Sequence, residues 1–167
     1  MKMWLLTIVT GPLILTSCIH LTYSESEIRS MLVGSWATSN SFETNATSTR
    51  IQLKSRGKTT FDADGTLVSV TDSLMTIDVP EGKLPVDYHA VVQAKWVISG
   101  QVLRISRTAE EISGRDEISR KFIESDGMRK LRAKSPTESV YNLQNISPQK
   151  IVALDSQGSL STFTREK

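Results

Sequence analysis

At 167 residues, with 38% apolar and 23% charged side chains and a formal net charge of +2, the chain has the composition of one ordinary globular domain. This excludes an intrinsically disordered chain and a multi-span membrane protein. Lys2 is the only charged residue before Cys18, leaving 19 basic and 18 acidic side chains beyond it, and so even a balance predicts no electrostatic grip on nucleic acid or an anionic membrane surface.

The first element in chain order is a leader. Lys2 is followed by an apolar run from Met3 to Leu15 and then by small residues, the charged, apolar and small-residue order of a secretory signal. The run is 13 residues long, short of the ~20 that cross a bilayer as a helix, and Gly11 and Pro12 interrupt it. Its end, Leu15-Thr16-Ser17-Cys18, resembles the bacterial lipobox. The resemblance implies cleavage after Ser17, a diacylglyceryl thioether on Cys18 as the only covalent group, and lasting membrane attachment, since several acyl chains bind where one does not. A lone cysteine in an exported chain also has no disulfide partner, and lipidation accounts for it. Ile19 stands where an aspartate retains enteric-type lipoproteins in the inner membrane, which favours the outer membrane, facing the periplasm.

Residues 19–23 read as a tether. Ser24 and Glu27 have the spacing of a capping box ahead of Ile28, Met31 and Leu32, which predicts a helix of about two turns ended by Gly34. Short β-rich runs with turn punctuation follow. They cover residues 34–42, 49–54, 58–61, 66–77, 89–98, 101–107, 140–146, 150–154 and 159–164. Asp62-Ala63-Asp64-Gly65, Ser99-Gly100 and Asp155-Ser156-Gln157-Gly158 read as hairpin turns. Pro80 to Pro85 reads as a loop, because two prolines withdraw amide donors from a central strand. Val102, Arg104 and Ser106 alternate with Leu103 and Ile105, giving that strand one wet and one buried face. Eight or nine antiparallel strands are enough to close a small barrel. The charged segment 108–137 breaks the pattern: Ile118, Phe122 and Ile123 favour an amphipathic helix over 115–133, while Ser125-Asp126-Gly127 would suit a hairpin instead.

Gly34-Ser35-Trp36 on the first strand resembles the Gly-x-Trp signature of lipocalin-type barrels. Three further stretches are similar to bacterial lipocalin-like domains found behind lipoprotein signals: Thr60 to Leu67, Lys95 to Gly100, and Phe163-Thr164-Arg165. Together they span nearly the whole mature domain. The resemblance implies an all-β fold, a small antiparallel up-and-down barrel with a short N-terminal helix and one helical or irregular charged insertion before the last strands. It also implies that Trp36 packs across the closed end and that Arg165 stacks on it, with Gly34 completing this barrel-closing group. The chain departs from the pattern in lacking the cysteine pairs of classical lipocalins and in where the segment 108–137 falls. The expected organisation is a signal peptide at 1–17, a lipidated cysteine and tether at 18–27, and a barrel domain at 28–167.

The inventory for catalysis is thin. The only histidines are His20, in the tether, and His89, entering a strand, and no Gly-x-Ser-x-Gly elbow occurs. Two histidines and one lipid-bound cysteine do not make a zinc site. Asp62-Ala63-Asp64-Gly65 opens like a calcium loop, but its twelfth position is Ser73, not Glu. Glu110-Glu111 and Asp116-Glu117 read as a solvated face, and the basic cluster Arg129, Lys130, Arg132 and Lys134 as partners for nearby carboxylates.

These readings converge on a non-enzymatic module with no metal or dissociable cofactor, held to the bacterial envelope by lipid. It would bind a small apolar or amphipathic ligand or an envelope protein. A solid-core scaffold working through protein contacts alone is the alternative. The interior discriminates: a core filled by residues such as Val91, Trp96, Leu103 and Ile105 would leave no cavity.

Overall fold

A computed structural model describes residues 23–46, 49–134, 137–156 and 158–166. The leader, Cys18 and His20 lie outside the described residues. Helix α1 (Glu25–Leu32) leads into five strands, β1 (Gly34–Ala46), β2 (Thr49–Phe61), β3 (Thr66–Val79), β4 (Gly82–Ser99) and β5 (Val102–Gly114). Helices α2 (Glu117–Ile123) and α3 (Asp126–Lys134) follow, then β6 (Glu138–Ile146), β7 (Lys150–Asp155) and β8 (Leu160–Arg165). Each strand pairs antiparallel with the next, and β8 returns to β1, so the eight strands form a closed up-and-down barrel. The charged segment is thus helical, broken into two short helices at Glu124 and Ser125 rather than turned into a hairpin.

Local chemistry explains most of these boundaries. The Ser24 hydroxyl accepts from the Glu27 amide while the Glu27 carboxylate accepts from the Ser24 amide, so α1 starts on a complete capping box. The runs at 49–54 and 58–61 are one strand, β2, continuous through Ser55-Arg56-Gly57. A Cβ at Gly57 would lie 2.0 Å from the Val70 carbonyl oxygen, so only glycine lets β2 bend this closely onto β3.

Two stretches differ from the sequence expectation. Pro80 to Pro85 is not a loop: Val79 pairs with Gly82 across a tight turn, and Pro85 lies inside β4 opposite Thr76. It is tolerated because β5 does not pair with β4 until Tyr88, so Pro85 has a strand neighbour on one side only. Strand β5 does not stop at residue 107. Gln93 pairs with Ala109 and Ala94 with Arg107, which makes Thr108 an extra, bulged residue, after which the strand continues to Gly114.

Two apolar layers plug the barrel. At one end Ile28 and Leu32 of α1 meet Trp36, Phe61, Trp96, Leu103 and Phe163. At the other, Ile123 of α2 packs with Ile77 and Val86, flanked by Ile51, Ile112 and Phe122. Helix α2 is pinned by Ser119, whose hydroxyl accepts from the Asp87 amide at 2.9 Å and donates to the helix-capping Asp116 at 2.9 Å.

Candidate functional site: a polar lumen between two apolar plugs

The α1 end brings together Gly34, Trp36 and Arg165. Trp36 is fully buried and its indole N–H donates to the Leu32 carbonyl at 2.7 Å. The Arg165 guanidinium lies 3.9 Å from the Trp36 ring centroid and donates to the Val33 carbonyl at 2.9 Å. One side chain thereby stacks on an indole, a contact of roughly 0.5–2 kcal/mol, and closes the C-terminal end of α1. Gly34, at φ 117°, is part of the same arrangement, since a Cβ there would sit 2.6 Å from Arg165 Nη1. On the far side Phe61 meets Trp96 edge to face at 5.5 Å, and Arg29 covers Trp96 at 4.8 Å. The side chains at this end are buried against one another.

Between the plugs lies a partly enclosed cavity of about 310 Å³. Leu67, Val92, Ile105 and Phe163 give its lining an apolar part. Much of the remainder is hydroxyl: Thr38, Ser55, Thr59, Ser69, Thr71, Ser139 and Ser161 line it. Thr59 and Ser69 share a hydrogen bond at 2.8 Å, and Ser55 bonds Ser73 at 2.7 Å. Of the four residues weighed as core, Trp96 and Leu103 are in the dry plug and Ile105 lines the cavity. Val91 faces outward opposite Val70, because the inward positions beside it are Ala90 and Val92.

The Thr108 bulge places charge in this lumen. Without it the inward face of β5 would continue from Ile105 and Arg107 to Ala109 and Glu111. With it, Arg107 and Glu110 both turn inward. Arg107 Nη1 lies 3.0 Å from Glu110 Oε2, and Arg132 of α3 reaches the same oxygen at 3.4 Å. The side chains of Arg107, Glu110 and Arg132 are 24%, 20% and 32% exposed, less than those of the other ion pairs among the described residues. Two enclosed polar atoms, Arg132 Nε and Asn40 Oδ1, have no hydrogen-bond partner among the described residues. Tyr88 and Tyr141 are also inward-facing, and burial pushes both phenols up, so they remain neutral hydroxyls; the Glu110 charge adds to the effect at Tyr88, while a Ser73 hydrogen bond opposes it.

The other residues singled out from sequence lie apart from this cavity. His89 is on the outer face of β4, 2.9 Å from Asp72, which also pairs with Arg115. Asp62 to Gly65 is a hairpin turn in which Asp64 accepts from the Thr66 amide at 2.8 Å. Of the basic cluster, Arg129 pairs with Asp126 at 2.6 Å, whereas Arg132 turns into the barrel mouth. Glu110, read from sequence as part of a solvated face, is a lumen residue, while its neighbour Glu111 is exposed. Among the described residues no three His, Cys, Asp or Glu side chains are grouped to hold a metal ion. No helix among them is long and apolar enough to cross a membrane.

Fold and site together define a closed eight-stranded barrel with a polar, charge-bearing lumen. In comparisons with known proteins, no family model and no curated protein matches the chain.

Proposed function

We propose that the protein is a non-enzymatic, lipid-anchored envelope lipoprotein whose lipocalin-like barrel holds a small amphipathic molecule. The observation that carries the binding part is the cavity of about 310 Å³ at mid-barrel, at the small end of the usual range for ligand sites. Its lining mixes apolar side chains with hydroxyls, which suits an amphipathic molecule. The absence of a reaction rests on chemistry: His89 sits outside the lumen, and the lumen's charged groups are already engaged with one another. Anchorage rests on the Leu15-Thr16-Ser17-Cys18 leader, and the membrane is then a partner through lipid alone.

Native mass spectrometry after gentle extraction tests the carrier reading. A co-purifying small-molecule mass is expected, and an empty barrel that also takes up no amphipathic probe would sink the idea. For the anchor, Cys18→Ser should abolish palmitate labelling and membrane retention while leaving the barrel's circular dichroism unchanged; a variant that still sediments with membranes refutes it.

A scaffold reading has one observation in its favour. Strand β3 turns Val68, Val70 and Leu74 outward, each 38–46% exposed, with Asp72 between the last two, a mixed surface suited to protein contact. In-cell cross-linking from that strand that captures one recurrent envelope protein would favour this second reading.

A further inference from the structure

We propose that α3 is a hinged flap over a side window into the lumen, latched shut by Arg132 on Glu110 and free to swing about Glu124 and Ser125 while α2 stays in place. The window follows from unequal strand lengths. Strand β8 pairs with β1 only as far as Ser41 and β6 pairs with β5 only as far as Ser106, yet β1 continues to Ala46 and β5 to Gly114. Beyond those points β1 and β5 are two edges with no strand between them among the described residues. The two helices that follow β5 are held there very differently. Ile123 of α2 packs against Ile77 and Val86, the Ser119 hydroxyl holds the Asp87 amide, and Gly114 lies so close that a Cβ there would come within 2.3 Å of the Arg120 amide nitrogen. Lifting α2 would uncover part of the core. In α3, by contrast, Asp126, Arg129 and Lys130 are exposed, and the Arg129–Asp126 pair is internal to the helix. Among the described residues its one hydrogen bond to a strand runs from Arg132 Nη2 to Glu110 Oε2, at 3.4 Å. Glu110 lines the cavity and Arg132 does not, so this contact joins the flap outside to the lumen inside. Letting go costs little, because Arg107 keeps Glu110 at 3.0 Å and no lone charge is left in the lumen. Arg132 Nε, enclosed without an acceptor while the latch is closed, gains water when it opens. A lumen reached from the side in this way exchanges small molecules without disturbing either apolar plug.

Thiol labelling tests this in the full chain carrying Cys18→Ser, so that one introduced cysteine is the sole thiol. Ser161→Cys puts it in the cavity lining, at a residue 8% exposed, and Ser106→Cys puts it on the exposed face of β5. A small methanethiosulfonate reagent should react slowly with the first and fast with the second. Arg132→Gln is expected to speed the lumen cysteine about three- to tenfold, the worth of one partly buried ion pair, and to leave the outer one unchanged. Salt at about 1 M should do the same in the parent and add nothing in Arg132→Gln, because the latch it screens is gone. Limited trypsin digestion gives an independent readout: cleavage after Arg129 and Lys130 should accelerate in Arg132→Gln, whereas cleavage after Arg120 and Lys121 should not. Equal labelling of the lumen and outer cysteines in the parent would show a lumen open without any flap. A lumen rate untouched by Arg132→Gln removes the latch, and acceleration at both helices together means that the segment unfolds as one, with no hinge inside it. Each of these three results overturns the proposal. No ligand enters the experiment, so all of them bear on the flap and leave the carrier reading to its own test.

Discussion

The α1 end of the barrel and the lumen beside it are built by the same strands, one pleat apart. At the α1 end the inward positions are Trp36, Phe61, Leu67 and Phe163. One inward position along, on the same four strands, they become Thr38, Thr59, Ser69 and Ser161. The first layer removes its apolar surface from water and satisfies its few polar atoms through backbone carbonyls. The second keeps hydroxyls paired with one another around a cavity. The difference separates packing from open space along the barrel axis: one layer is filled, and the next surrounds a cavity.

Substitution on each side of this boundary should break the comparison most clearly. Trp36→Ala leaves a large hole in the dry layer and removes the ring under Arg165, so a loss of about 3–5 kcal/mol in urea unfolding is expected. A loss comparable to that of a surface substitution would show that this end is not the stabilising plug. Thr59→Val, one pleat into the lumen and nearly isosteric, removes one hydroxyl from a side chain that is 4% exposed. Ser69 would then turn its hydroxyl into the cavity, so the cost should be about 1 kcal/mol or less. Should Thr59→Val prove as damaging as Trp36→Ala, the two layers do not differ in the way described.

The smallest effect concerns the outer wall and sharpens the contrast with the charges inside. Hydrogen bonding to His89, followed by pairing with Arg115, holds the Asp72 carboxyl below the usual carboxylate range, with Asp87 also near Arg115. A depressed carboxyl contributes stability above its unfolded-state value and loses it as pH falls through the folded one. The melting curves of the parent and of Asp72→Asn should therefore differ slightly near neutrality and converge below about pH 4. Because these groups are exposed, the difference should also shrink in high salt. A gap that widens on acidification would contradict the assignment.

How much of this was legible depended on the range of the interaction involved. The Ser24–Glu27 capping box, the Asp62 to Gly65 turn and the alternation around Leu103 and Ile105 are local, and each appears in the structure where the residues place it. Pro85 misled because the cost of a missing amide depends on whether a second strand is present to need it. Glu110 was misread for a related reason. Alternation gives each side chain a face only until a bulge resets the count, and no residue near Thr108 announces one. Strand β3 shows the same limit in another form: Ser69, Thr71 and Ser73 alternate with Val68, Val70 and Leu74, but which set faces the lumen is not contained in the alternation. Here the hydroxyls are inside.

By itself the sequence determined the class of fold, because strand periodicity, turn residues and a helix cap act between neighbours along the chain. The leader and lipobox proposed for residues 1–18 rest likewise on consecutive residues alone. Tertiary structure alone decided that the barrel closes with β8 on β1, that Arg165 meets Trp36, and that Arg107 and Glu110 turn into one lumen with Arg132 of α3 reaching Glu110. Those contacts join residues from β5 and α3, or from opposite ends of the chain. They exist only once strand register, a bulge and the docking of a helix have been fixed together, and none of these is a property of any short stretch of sequence.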